Sequence, residues 1–428
     1  MKKSVASQRK GIRGKIVVPG DKSISHRSVL LGSIAEGMTE IEGFLMSEDC
    51  LRTVNCIQKL GINVEIPAPG HLHVFGKGLF GWQEPREILN AGNSGTTMRL
   101  MLGLLSGQSF HSIICGDASL CNRPMSRIVQ PLRMMGANID GRENGEKAPL
   151  AVRGGILHGI NYQSPVASAQ VKSALLFAGL YAEGITTIEE PAQSRDHSER
   201  MLLSFGAKIK ADRLKSSIIG QPRLTGQKIS IPGDISSAAF FLVLAAITPN
   251  SELMIENLGI NPSRTGIIDV LRRMGAEIKF ENQKNIAGEP VADVVIKHST
   301  LHGVTIAGEE IPRLIDEIPI LTVAAAYADG QTIIKDAAEL RVKETDRINA
   351  VVSQMLKLGM DILPLEDGMV INGGRHLKGA VVNSFHDHRI AMALAVAGKA
   401  AQGETTIENA ECVNISFPNF YELLEVLS

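Results

Sequence analysis

Pro19-Gly20-Asp21-Lys22-Ser23-Ile24-Ser25-His26-Arg27 runs into an apolar segment, residues 29–35, and then into Glu36-Gly-Met-Thr-Glu-Ile41. A glycine turn that feeds polar residues into a helix start suits an anion. The first-turn N–H groups lack intrahelical partners, and the helix dipole places roughly +0.5 charge there. Lys22 adds a mobile point charge and Arg27 a planar fork. The same residues also suit a plain N-cap, so the reading depends on the rest of the chain.

The pattern recurs. Polar clusters that lead into apolar segments start at Lys22, Asn93-Ser-Gly-Thr-Thr97, Ser168-Ala-Gln-Val-Lys172, Asp234-Ile-Ser-Ser237, Asp316-Glu317 and His386-Asp-His-Arg389, at intervals of roughly 70–80 residues. A glycine and an alternating strand signature follow, as in Glu183-Gly-Ile-Thr-Thr-Ile188, Asp329-Gly-Gln-Thr-Ile-Ile334 and Gln402-Gly-Glu-Thr-Thr-Ile407. A second, amphipathic helix then ends in Leu60-Gly, Met135-Gly, Phe205-Gly, Met274-Gly or Leu358-Gly, with a last one over 421–427.

Segments 171–182, 238–247, 318–328 and 390–401 are apolar around most of a helical circumference, so they predict helices buried on all sides. Sheets and the amphipathic helices must then surround them. The expected fold is α/β, an inside-out α/β barrel in two domains, with six repeated βαβαββ-like units, three per domain. The buried helices run parallel, with the sheets outside. Val18-Pro-Gly-Asp-Lys-Ser echoes Ile231-Pro-Gly-Asp-Ile-Ser. This places one domain at 20–232 and the other at 1–19 plus 233–428, with a hinge near 14–20 and 231–236. Parallel helices in two facing domains would bring six helix starts around one cleft, which closes on its ligand.

Composition narrows the function. A formal net charge of −1 and 4% aromatic residues provide neither a basic field nor stacking platforms for nucleic acid. Five cysteines without a CxxC pair point to a reducing, cytoplasmic setting. The N-terminus lacks a secretory core, and the longest apolar runs, of about ten residues, are too short to span a bilayer. Without a coiled-coil seam, a monomer is expected. Near the polar clusters stand Lys22 and Arg27, Arg99 with Arg123 and Arg127, Lys172 with Arg195, Lys343 with Arg347, and Arg389. So many cations beside helix starts suit a ligand with more than one phosphate or carboxylate. His386-Asp387-His388 and His71-x-His73 could ligate a metal, but the first reads better as a helix start and the second as the polar face of a strand.

Taken together, Pro19–Arg27, Gly92-Asn-Ser-Gly-Thr-Thr-Met-Arg99, Arg123-Pro124, Ser168-Ala-Gln-Val-Lys172, Leu340-Arg-Val-Lys-Glu-Thr-Asp-Arg347 and Asp387-His-Arg389 resemble the 5-enolpyruvylshikimate-3-phosphate synthases, over essentially the whole chain and in order. The resemblance implies transfer of the enolpyruvyl group of phosphoenolpyruvate to the 5-hydroxyl of shikimate 3-phosphate, with release of phosphate, on the way to chorismate and aromatic amino acids. It implies no cofactor and no metal. It assigns shikimate 3-phosphate to Lys22, Ser23, Arg27, Ser168, Ala169, Gln170, Arg195, Asp316 and Lys343. It assigns phosphoenolpyruvate to Lys22, Gly95, Arg123, Gln170, Arg347 and Arg389. Asp316 would be the base at the 5-hydroxyl, Glu344 the proton donor and acceptor at the methylene carbon, and Lys22 a partner in proton traffic.

Departures from the family pattern also matter. Many members carry a Lys before a late Ser/Thr-Phe-Pro; here Ile415 precedes Ser416-Phe417-Pro418. Gly95 is retained, so a larger residue does not exclude glyphosate at that position. The sister UDP-N-acetylglucosamine enolpyruvyl transferases share the repeats but place a reactive Cys five residues before the Arg-Pro, where this chain has Ala118. Cys115 and Cys121 are out of register and read as ordinary thiols. A non-catalytic anion binder would have no use for Asp316 and Glu344.

Overall fold

The computed structural model describes all residues except Arg9, Arg375 and Ser428. The chain divides into two compact units. One runs from Gly20 to Ile231 and takes in Ile286–Glu289. The other combines Met1–Pro19, Pro232–Asn285 and the chain from Pro290 on. Each has its own apolar core.

The first unit carries three sheets of four strands. Their orders are Lys228–Ser230, Glu36–Glu42, His71–Lys77, Asn63–Ala68; Leu89–Asn90, His111–Cys115, Lys147–Arg153, Asn138–Gly141; and Asn161–Gln163, Ile185–Glu189, Lys215–Ile219, Ile209–Ala211. In each, the first two strands are parallel and the remaining neighbours antiparallel. The second unit repeats this order in Thr305–Ile306, Gln331–Ile334, Met369–Asn372 and Asp361–Pro364. It also uses the start of the chain. Arg13–Ile16 pairs in parallel with Glu252–Gly259, and Lys2–Ala6 pairs antiparallel with Glu404–Glu408, whose other neighbour is Val381–Asn383. Among the described residues the six sheets are separate and none closes into a barrel.

Local chemistry explains the helix-to-strand turns. In the four signatures quoted above, the glycines Gly37, Gly184, Gly330 and Gly403 have φ of 89°, 90°, 89° and 93°. That left-handed region disfavours any residue with a Cβ. The strands that follow alternate, so Ile185–Glu189 buries Thr186 and Ile188 and exposes Ile185 and Glu189.

The apolar helices are buried nearly all round. Ile235–Ile247 is buried at all 13 positions and Ile318–Ala326 at all nine. Lys22–Ile34, Gly95–Ser106 and Ala169–Gly179 are buried beyond their first turns, and so is His388–Ala400 as far as Lys399. Three start two or three residues before the apolar segments predict, at Ala169, Ile235 and His388, because Ser168, Asp234 and Asp387 act as N-caps and the polar residues form the first turn. The expected helices over 171–182 and 318–328 end earlier, at Gly179 and Ala326, and the last helix runs Phe420–Val426. Gly103 and Ala174 mark a backbone-to-backbone approach, since a Cβ on Gly103 would lie 2.2 Å from the Ala174 carbonyl oxygen. Among the described residues, no helix is long and apolar enough to cross a membrane.

Candidate active site

In the Gly20–Ile231 unit the predicted ligands cluster at three helix starts. Asp21 caps the first, its carboxylate accepting from the Ile24 N–H at 2.9 Å. Lys22 follows, and its ammonium lies 2.5 Å from the Asp49 carboxylate. Arg27 is buried and tied to three segments. It donates to the Ser198 hydroxyl (2.7 Å), the Ser23 carbonyl (2.9 Å) and the Ser173 hydroxyl (2.7 Å). Ser173 and Ser198 also hydrogen-bond each other at 2.6 Å. The guanidinium therefore fastens the helix carrying Ser23 to the helix carrying Ser168 and to the segment after Arg195.

The second start surrounds a glycine with guanidinium groups. Ser94 caps the helix that begins at Gly95. A Cβ on Gly95 would lie 3.0 Å from Arg99 Nη1 and 3.6 Å from Arg123 Nη1. Arg99 donates to the Gln170 side-chain oxygen at 2.6 Å, and Gln170 donates to the Thr96 hydroxyl at 3.1 Å. Arg123 is held by the Asn93 side-chain oxygen at 2.6 Å, and Asn93 donates to Asp117 at 2.7 Å. Gly95, Arg123 and Gln170 thus stand together beside Arg99, a residue of the quoted motif that the resemblance assigns to neither substrate.

At the third start, Ser168 caps its helix, and its N–H donates to Glu190 at 3.0 Å. Ser194, the neighbour of Arg195, donates to the other Glu190 oxygen at 2.8 Å. Lys172 is paired within the fold. Its ammonium is buried, 2.8 Å from Glu190 and 2.8 Å from Glu199. Burial disfavours its charge, but the two carboxylates outweigh that and push its pKa above the ordinary lysine value. This ion cluster fixes the segments that carry Ser168 and Arg195. Glu199 falls in the Arg195-Asp-His-Ser-Glu199 stretch, but nothing local marks it or Glu190 as partners of Lys172.

The other unit holds the carboxylates. Asp316 lies in the one-turn helix Ile315–Glu317. Lys343 and Glu344 lie in the irregular link between Ala338–Val342 and the helix Arg347–Lys357. Arg347 sits at the centre, 1% exposed. It donates to Asp387 at 2.8 Å, to Glu344 at 2.6 Å and to Asp316 at 3.3 Å. Burial opposes its charge, yet Asp387, Glu344 and Asp316 together raise its pKa above the usual arginine value. Arg389 donates to the Asp316 carbonyl at 3.0 Å and lies 3.9 Å from its carboxylate and 3.5 Å from Glu317. Lys343 stands 3.7 Å from Asp316. Behind them, buried Arg264 contacts Asp234 at 2.9 Å and Ser236 at 2.7 Å, and Ser236 hydrogen-bonds Glu317. Asp316, Lys343, Glu344, Arg347 and Arg389 are therefore one connected group.

Three carboxylates meet one guanidinium, and two of them, Asp316 and Glu344, flanked by Lys343 and Arg389, form a site that can move protons beside an anion. No cluster of three or more His, Cys, Asp or Glu side chains suited to a metal occurs among the described residues. His71 and His73 lie on one strand, opposite Glu42 and Glu40.

Residues 6–424 match the family model of EPSP synthase (3-phosphoshikimate 1-carboxyvinyltransferase). The 3-phosphoshikimate 1-carboxyvinyltransferase of Brevibacillus brevis is 55% identical over 421 residues, covering 98% of this chain and 99% of the relative. That of Desulforamulus reducens is 54% identical over 416 residues, 97% of each. Among solved structures, an EPSP synthase from Acinetobacter baumannii superposes with a TM-score of 0.90 at 46% identity, covering 100% of this chain and 98% of that one. With a family model that spans nearly the whole chain and relatives more than half identical end to end, the chain belongs to the EPSP synthase (3-phosphoshikimate 1-carboxyvinyltransferase) family.

Proposed function

We propose that the chain transfers the enolpyruvyl group of phosphoenolpyruvate to the 5-hydroxyl of shikimate 3-phosphate, by addition and then elimination. The observation that carries the mechanism is the sharing of Arg347 by Asp316 and Glu344, at 3.3 and 2.6 Å. Asp316 takes the 5-hydroxyl proton as that oxygen attacks C2 of phosphoenolpyruvate, and Glu344 delivers a proton to the methylene carbon. Glu344 then removes a proton from the new methyl group. The double bond re-forms and phosphate leaves with its bonding electrons. Lys22, held by Asp49, shares the proton traffic and supplies positive charge.

In this reading Ser23, Arg27, Ser168, Ala169, Gln170, Arg195 and Lys343 hold shikimate 3-phosphate. Gly95, Arg123, Gln170, Arg347 and Arg389 hold phosphoenolpyruvate. The guanidinium groups flanking Gly95 support the second assignment, because a planar fork matches carboxylate and phosphate. Arg27 contributes mainly by orienting Ser23 and Ser173. We also read the shared strand order as six copies of one unit, three per domain, with the helices inside.

The test follows phosphate release from purified protein, without added metal, on phosphoenolpyruvate with shikimate 3-phosphate. Release that requires both substrates is expected. Release only with UDP-N-acetylglucosamine would keep the fold and replace the acceptor. Silence with either acceptor would leave an anion-binding protein.

A further inference from the structure

Cys115 and Cys121 lie outside the machinery described above, yet their thiols are 3.6 Å apart. Cys115 ends the strand His111–Cys115, and Cys121 ends the one-turn helix Ala118–Cys121. Both are half-buried, whereas Cys50, Cys56 and Cys412 are buried. Both thiols also reach the Gly116 carbonyl, at 3.4 and 3.3 Å.

What lies around the pair gives it a consequence. Asp117 caps the one-turn helix at Leu120 N–H (2.8 Å) and accepts from Asn93 (2.7 Å). Asn93 holds Arg123, which also reaches the Ser119 hydroxyl at 3.4 Å. The Asp117 N–H donates to the Gly92 carbonyl at 2.8 Å. The segment bracketed by the thiols is thus the mount for Asn93 and Arg123. Cys115 is held by its strand pairing with Leu89–Asn90, so closing the pair would act on the one-turn helix and on the Asn93 and Arg123 contacts that it carries.

We propose that Cys115 and Cys121 are an oxidative modification site, which peroxide converts to an intramolecular disulfide that lowers turnover by moving the mount of Arg123. One sulfur attacks hydrogen peroxide, the O–O bond breaks, and a sulfenic acid and water form. The second sulfur attacks the sulfenic sulfur, and the S–S bond forms as a second water leaves. Two thiols are oxidised by two electrons and one peroxide is reduced to two waters. Closing the contact to a bond of about 2.05 Å draws the one-turn helix toward the strand. A thiol reductant reverses it. The effect on turnover rests on the proposed role of Arg123; the modification itself does not.

The experiment treats the full chain with hydrogen peroxide, then quantifies alkylatable thiols, intact mass and phosphate release. The expected result is loss of two alkylatable thiols and of the mass of two hydrogens, and a fall in turnover of roughly tenfold or more that dithiothreitol restores. Cys121→Ser and Cys115→Ser should keep their activity under the same treatment. Thiols that stay alkylatable, or gain oxygen without pairing, would overturn the site. A disulfide formed with turnover unchanged would overturn its coupling to Arg123. Equal loss of activity in the serine variants would place the sensitive thiol elsewhere. A protein inactive before treatment bears on the function, while the thiol and mass readouts still decide the modification.

Discussion

Replacing Lys172 by Met removes the one cation found 2.8 Å from both Glu190 and Glu199, with side-chain exposures of 5%, 2% and 7%. Met nearly conserves the volume, so the cost is electrostatic. Removing one partner of a buried pair costs about 3–5 kcal/mol, and here two carboxylates are left facing each other. At about 2–4 °C per kcal/mol for a unit of this size, the melting midpoint should fall by roughly 6–20 °C. The pH dependence has a definite sign. The native pKa of Lys172 is raised, so its contribution is full below the unfolded value of about 10.4 and is lost as pH climbs through the native value. Scanning calorimetry at neutral pH and at a pH above the raised native value should show the wild type converging on the variant only at the higher pH. A triple variant that adds Glu190→Gln and Glu199→Gln should regain most of the loss, because neutral amides remove the repulsion. A Lys172→Met midpoint within about 2 °C of wild type, at the scale set by unit size, would refute the argument that this charge cluster holds the segments bearing Ser168 and Arg195.

Asp316→Asn and Glu344→Gln should each lower kcat by roughly 10²–10⁴ with KM largely kept, and near-normal turnover in either would remove that residue from the proton path. Gly95→Ala puts a methyl group 3.0 Å from Arg99 Nη1, so steady-state kinetics should show KM for phosphoenolpyruvate rising while KM for shikimate 3-phosphate stays near wild type. Asn93→Ala frees Arg123 from its 2.6 Å partner and should raise KM for phosphoenolpyruvate by about tenfold, the worth of one charge-assisted hydrogen bond. An unchanged KM would mean that Arg123 does not meet that substrate.

What was legible in the sequence was local. Asp21, Ser94, Ser168, Asp234 and Asp387 cap the helices that follow them, and each cap reaches only two or three residues ahead. Apolar runs and Gly turns are local for the same reason. What escaped was the partner of each charge. Lys22 meets Asp49, Lys172 meets Glu190 and Glu199, and Arg347 meets Asp387 from 40 residues away. A cation beside a helix start reads alike whether it faces a ligand or a buried carboxylate. Arg27 therefore reads as a ligand and Lys172 as one more cation beside a helix start, while the fold places Lys172 between Glu190 and Glu199 and ties Arg27 to Ser198, Ser23 and Ser173. The connection of Asp316 to Glu344 was equally hidden, because it runs through Arg347.

The pairing of Lys2–Ala6 with Glu404–Glu408, and of Arg13–Ile16 with Glu252–Gly259, has a consequence for biosynthesis. A ribosome that has released residues 20–231 has delivered nearly everything the first unit needs, so that unit can fold while translation continues. The second unit must hold Lys2–Ala6 unpaired until Glu404–Glu408 emerges. Its slow, non-local closure leaves an open sheet edge in the nascent chain, and that interval is when chaperone capture and aggregation compete most strongly with folding.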